Sequence, residues 1–120
     1  MTNTELAECA IAALSSQRFA WSSETGLHSA IEGVLTLAAL PLEREVDLGP
    51  GSRVDFLVGG VGVEVKIDGS LADVTRQLHR YSESDRIEVL VLVSTKMRHR
   101  SVPRTMNGKP IHFVCIGGWL

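Results

Sequence analysis

One stretch constrains the fold more than any other: Arg53-Val54-Asp55-Phe56-Leu57-Val58-Gly59-Gly60-Val61-Gly62-Val63-Glu64-Val65-Lys66. Two β-rich runs flank a Gly-Gly pair, which is the pattern of a β-hairpin. Pairing across Gly59-Gly60 sets Val58 opposite Val61, Leu57 opposite Gly62, Phe56 opposite Val63 and Asp55 opposite Glu64. Facing Cβ atoms in such a pair stand roughly 5 Å apart, and like charges there repel. The glycines in and near the turn leave room for a bulge that would alter this pairing. Val63, Val65 and Ile67 alternate onto one face and read as core. Glu64 and Lys66 share the other face.

Two readings of this polar face are open. A solvated ladder of Asp, Glu and Lys is one. The other is a cation site, with positive charge lying between Asp55 and Glu64. Two hard carboxylates suit Mg²⁺ or Mn²⁺ and leave coordination positions for water and a phosphate oxygen. Such an ion acidifies water and offsets charge in a phosphorane-like transition state. A lysine beside it can orient or deprotonate that water.

The rest of the chain reads as a frame for this hairpin. Thr4 caps a first helix to about Phe19, and Ser22 or Ser23 caps a second to about Ala39, ended by Pro41. Glu43–Leu48 reads as a strand and Gly49–Ser52 as a turn. Ser70-Leu71-Ala72-Asp73 opens a third helix to about Ser82. Ile87–Ser94 is nearly all apolar, so a central buried strand, joined to the hairpin by a right-handed parallel crossover. Lys96–Pro110 reads as a basic loop and Ile111–Ile116 as the last strand. The fold class is α/β, a single domain with a mixed central sheet flanked by helices. A length of 120 residues is enough for one core.

Segments beside the hairpin supply further polar groups. On a wheel of ~100° per residue the second helix carries its apolar stripe on Leu27, Ala30, Ile31, Val34, Leu35 and Ala38. Glu24 falls within roughly 40° of the stripe centre and Glu32 about 120° away. Glu24 is therefore expected to point at the sheet, unless it serves only the helix dipole. Glu45 is a further acid whose parity is open; a strand-pairing salt bridge is the role expected of it. On the third helix Gln77 and Tyr81 lie one turn apart, and Arg76 and Arg80 form a pair fit for phosphate contacts or solvation. Arg53, across from Lys66, is another phosphate candidate. The first 48 residues hold seven acids and two bases, whereas Lys96, Arg98, Arg100, Arg104 and Lys109 follow one another with no acid between. That asymmetry suits either a phosphate-contacting surface or a solvated loop.

The motif Asp55, then Glu64-Val65-Lys66, resembles the PD-(D/E)XK nuclease superfamily, whose signature is an Asp at a strand start followed by Glu-x-Lys on the next strand. The order helix, three strands, helix, strand from Ser23 to Ser94 is similar to that family's restriction-endonuclease-like core. Val54 stands where the family often has Pro. Gln77 and Tyr81 resemble the Gln-x-x-x-Tyr motif of RecB-type nucleases. The resemblance implies a DNA phosphodiester hydrolase in repair, recombination or phage and mobile-element biology, with Holliday junction resolvases among the relatives. It implies Asp55, Glu64, Lys66 and Gln77 as catalytic, and Asp55, Glu64 and Glu24 as ligands of Mg²⁺ or Mn²⁺. Arg53, Arg76, Arg80, Tyr81, Lys96, Arg98 and Arg100 would contact DNA. Alternatives are an inactive nuclease-like DNA-binding or assembly module, and an RNA nuclease.

Aromatic residues make up 5% of the chain, so base stacking is not expected as the main mode of recognition. Site-specific cleavage by so short a chain implies a homodimer or a partner. Cys9 and Cys115, far apart in apolar contexts, are expected as buried free thiols in a reducing compartment such as the cytoplasm. No HxxxH or CxxC spacing points to zinc. Neither a signal peptide nor a membrane span is expected, since the apolar runs are too short.

Overall fold

The computed structural model describes residues 1–117. In chain order the elements are α1 (Asn3–Ser15), α2 (Glu24–Leu37), β1 (Leu42–Gly49), β2 (Ser52–Val58), β3 (Val61–Lys66), α3 (Leu71–Ser82) and β4 (Val89–Ser94). A 3₁₀ turn (Met97–Ser101), β5 (Thr105–Met106) and β6 (Lys109–Cys115) follow. The six strands form one mixed sheet in the order β1-β2-β3-β4-β6-β5. β1, β2 and β3 make an antiparallel meander, β3, β4 and β6 run parallel, and β5 closes on β6 as a hairpin. None of the described helices is long and apolar enough to cross a membrane.

Two apolar layers sandwich the sheet. On one face Leu6, Ala10 and Leu14 of α1 and Leu27, Ile31 and Leu35 of α2 pack on Val63, Val65, Val91 and Val93. On the other, Val74, Leu78 and Tyr81 of α3 pack on Leu57, Leu90 and Leu92. β4 is buried along its whole length, as a central strand covered on both faces must be.

Local sequence explains most boundaries. Thr2, not Thr4, caps α1: its hydroxyl accepts the Glu5 N–H while the Glu5 carboxylate accepts the Thr2 N–H, a complete capping box. α1 stops at Ser15, short of Phe19, because the Ser16 hydroxyl turns back onto the Ala13 carbonyl. Phe19 still reaches the core from the loop. Ser23 caps α2 through Gly26 N–H, and Ser70 caps α3 through Asp73 N–H. The segment expected as a basic loop is more ordered than that. It holds the 3₁₀ turn and a hairpin whose two-residue turn, Asn107-Gly108, has positive φ at both positions (51° and 74°), the geometry Asn-Gly favours. The cysteines also differ from expectation. Alternation along β6 buries Val114 and sends Cys115 the opposite way, where it is exposed, and Cys9 is only half-buried.

The meander is irregular beside Asp55. Arg44 pairs with Phe56 and Val46 with Val54, leaving Glu45 and Asp55 facing each other unpaired. Glu45 has a φ of 46° and is exposed. Phe56 and Val58 pack in the α1–α2 layer, yet Val54, two residues away, packs in the α3 layer with Leu57. β1 switches in step: Leu42 belongs to the first layer and Val46 to the second. The register is the same on both sides of this point, so the switch is a local twist at Glu45 and not an inserted residue; the register shift of this pair lies further on, between Asp47 and Gly49. Glu45, turned out of the pleat, makes no ion pair among the described residues, contrary to the role expected of it.

Candidate active site

The ladder between β2 and β3 runs from Val58–Val61 to Phe56–Val63 and stops. Asp55 and Glu64 come next, as the sequence register requires, but their backbones no longer pair. Instead Asp55 N–H donates to Glu64 Oε1 (3.2 Å), and Val65 N–H donates to Asp55 Oδ2 (2.8 Å). Each carboxylate crosses the gap and replaces a backbone carbonyl as acceptor. The strands are thus held apart by the two acids that the sequence places opposite each other.

Burial makes this costly for charge. Glu64 is 3% exposed. Desolvation, reinforced by the negative charge of Asp55, pushes its carboxyl up to about 7, although Lys66 Nζ stands 3.1 Å from Oε2 and pulls the other way. Burial likewise raises Asp55, opposed by the Val65 N–H, His28 and Lys66 and aided by the charge of Glu24. Two neighbouring acids whose ionisation burial opposes make this locus the candidate site of the molecule.

α3 braces Glu64 from its face of the sheet. The Tyr81 hydroxyl, fully buried, lies 2.7 Å from the Arg53 carbonyl oxygen and 3.0 Å from Glu64 Oε1. It has one proton and donates to one of them at a time. Gln77 Nε2 donates to the Tyr81 oxygen at 2.7 Å. Desolvation and the nearby carboxylates keep the Tyr81 phenol well above its usual range, so it remains a donor.

α2 approaches from the opposite face. Its side chain nearest Asp55 is His28, whose Nε2 stands 3.7 Å from Asp55 Oδ2, too long for a hydrogen bond. That nitrogen is buried and has no hydrogen-bond partner. Glu24, one turn earlier, acts on Asp55 through its charge but is exposed at the start of the helix. Glu24 thus stands at the solvent edge of the site, within electrostatic reach of Asp55. The expectation of a single polar sheet face fails. Glu24 and His28 come from one layer, Gln77 and Tyr81 from the other, and they meet only because the sheet opens at Asp55. His28 was missed by sequence reasoning. Its signal was present: it lies four residues after Glu24, at the rim of the Leu27–Ile31 stripe.

The basic residues disperse. Arg53 is exposed and pairs with Asp47 (3.2 Å), since the ladder ends before it could face Lys66. Arg76 pairs with Asp73. Arg80 lines a cleft of about 300 Å³ with Leu48, Pro50, Ser52 and Glu83. Lys96 is half-buried and Arg100 is exposed. Arg98 is engaged in structure: Nε donates to the Gly69 carbonyl (3.1 Å) and NH2 pairs with Asp68 (2.8 Å). Beside it His99, fully buried, has Nε2 2.8 Å from the same carbonyl and Nδ1 2.6 Å from Ser94 Oγ. A ring nitrogen facing a carbonyl must carry the proton, so Nδ1 accepts from Ser94. The 3₁₀ turn thereby clamps the turn that follows Lys66, whose cross-strand neighbour is Ser94.

Among the described residues no three His, Cys, Asp or Glu side chains are gathered closely enough to form a ready-made ion cage. Asp55 and Glu64 are the two acids that come together here, with the unpartnered Nε2 of His28 3.7 Å from Asp55 Oδ2. No family model, curated protein or solved structure matches this chain.

Proposed function

We propose that this protein is a Mg²⁺- or Mn²⁺-dependent deoxyribonuclease of the PD-(D/E)XK kind, built on a restriction-endonuclease-like core. One observation carries the reading: two buried carboxylates, Asp55 and Glu64, hold open a β-hairpin, and Lys66 lies against one of them. A solvated salt-bridge ladder would not be buried to 3% or raise a glutamate to about 7. The strand order, with an antiparallel meander joined through α3 to a parallel fourth strand, supports the same reading.

The two carboxylates suit a hard divalent cation, and the His28 nitrogen, which lacks a hydrogen-bond partner among the described residues, is a softer donor that suits Mn²⁺ better than Mg²⁺. Asp55, Glu64 and His28 would hold it, with Glu24 in reach through solvent. When bound, the ion supplies charge for the transition state and lowers the pKa of a water. The remaining work falls to the chain. Lys66 Nζ, poised on Glu64 Oε2, donates to the attacking oxygen or to the phosphate as negative charge develops. Tyr81 and Gln77 fix Glu64 Oε1, so the carboxylate turns as a positioned group rather than a free one. Glu64 must lose its proton to bind a cation, so activity rises with pH through about 7.

Incubation with supercoiled plasmid and Mg²⁺ or Mn²⁺, beside Asp55→Ala and Lys66→Ala, tests the proposal. Metal-dependent nicking by the unaltered protein, lost in both variants, supports it. Equal trace activity in all three sinks it.

A further inference from the structure

Four large apolar side chains are exposed among the described residues, and two of them, Trp21 (37%) and Met97 (55%), belong to segments at one rim of the molecule. The indole Nε1 of Trp21 lies 3.5 Å from where a Cβ on Gly117 would stand, and Thr95 Cγ2 lies 3.5 Å from the same point. Thr95 N–H donates to the Lys66 carbonyl (3.0 Å), and its hydroxyl donates to that of Ile67 (3.3 Å). Trp21 therefore stands over the C-terminal ends of β4 and β6, the end at which Lys66 emerges from β3. With strands about 4.8 Å apart, the indole is roughly 10 Å from Lys66. The chain path from the other side agrees, since Trp21 immediately precedes Ser22 and the cap of α2, the helix that carries Glu24 and His28.

The surroundings are cationic. Lys96 follows Thr95 directly, and Met97, Arg98 and Arg100 continue the stretch. Arg98 is tied to Asp68, but Lys96 and Arg100 form no ion pair among the described residues. A partly exposed indole with no hydrogen bond among the described residues, beside cations and within a nucleotide's reach of the proposed hydrolytic centre, is a combination by which proteins hold unpaired bases. In intact duplex the base faces are covered by their neighbours, and such an indole would have nothing to stack on.

We infer that Trp21 stacks on the base next to the scissile phosphate, and that the site accepts single-stranded or frayed DNA in preference to closed duplex. This rests on the nuclease reading and adds to it the class of substrate.

With two tryptophans in the chain, Trp119→Phe leaves Trp21 as the sole indole. In this background, with EDTA present to prevent cleavage, a 12-mer oligothymidylate is titrated against a closed hairpin duplex with the same number of phosphates. The expected result is quenching of indole emission by the single strand, and tighter binding of it than of the duplex. Trp21→Ala should weaken single-strand binding by roughly tenfold and duplex binding by less than about twofold. Trp21→Phe should restore most of the loss, with the thermal midpoint of each variant recorded as the folding control. Equal effects of Trp21→Ala on both probes, or none on either, overturn this inference alone when the unaltered protein nicks plasmid. Binding of neither probe together with no nicking overturns the nuclease reading as well.

Discussion

Replacing Glu64 by Gln should make the protein more stable at pH 8 while leaving it little changed at pH 4.5. The glutamine keeps an acceptor for the Asp55 N–H and removes the titration together with the Lys66 contact at Oε2. The fold raises the Glu64 carboxyl from 4.5 to about 7, so it favours the protonated form. A group raised in this way contributes stability that is fully present below 4.5 and is lost as pH climbs through about 7. At ~1.4 kcal/mol per pH unit the loss amounts to about 3 kcal/mol. With an unfolding entropy of about 2.1 cal/mol/K per residue, that shifts the midpoint of a chain this size by about 10 °C. Thermal melts in EDTA at half-unit steps from pH 4.5 to 8.5 read the effect. The midpoint of Glu64→Gln minus that of the unaltered protein should rise by about 10 °C across the window. Parallel curves would refute the reasoning, because they would mean that burial and Asp55 impose no cost on the Glu64 charge.

Other substitutions separate the roles assigned above. Tyr81→Phe removes the hydroxyl that serves Arg53 O and Glu64 Oε1; calorimetry should show a loss of about 1–3 kcal/mol. His28→Ala should lower the midpoint in EDTA through lost packing on Phe56, and in addition raise the Mn²⁺ concentration needed for half-maximal nicking by about tenfold, which packing alone would not do. An unchanged Mn²⁺ requirement would remove His28 from the site. Arg100→Ala should lower the slope of log affinity against log salt for DNA by about one. Arg98→Ala should leave that slope nearly intact and act on stability instead, since its guanidinium is bound to Asp68 and Gly69.

The hairpin was legible because Gly59-Gly60 fixes a register that a period of two then carries to Asp55 and Glu64. The cap at Ser70 and the buried strand at Val89–Ser94 were legible for similar local reasons. What local patterns could not give was the opening of the sheet. Alternation assigns Val54 and Phe56 to one face, whereas the structure divides them between two layers. That division accompanies the positive φ of Glu45 and the break in pairing at Glu45 and Asp55, neither of which a local pattern announces. Nor could such patterns show that His28, beside Glu24 on α2, comes within 3.7 Å of Asp55. The basic run misled for another reason. Charge along the chain does not reveal which cation a nearby carbonyl and carboxylate will claim, and Asp68-Gly69 claims Arg98. Asn107-Gly108 did announce a hairpin, and the basic composition around it obscured the signal.

Manganese occupancy tests the central claim most directly. Electron paramagnetic resonance of free Mn²⁺, titrated with the protein at pH 8, should show one ion withdrawn per chain. Asp55→Ala and Glu64→Gln should each abolish that withdrawal, and at pH 5.5, where Glu64 holds its proton, the unaltered protein should bind far more weakly. Stoichiometric binding that survives both substitutions, or no binding at pH 8, would contradict the account.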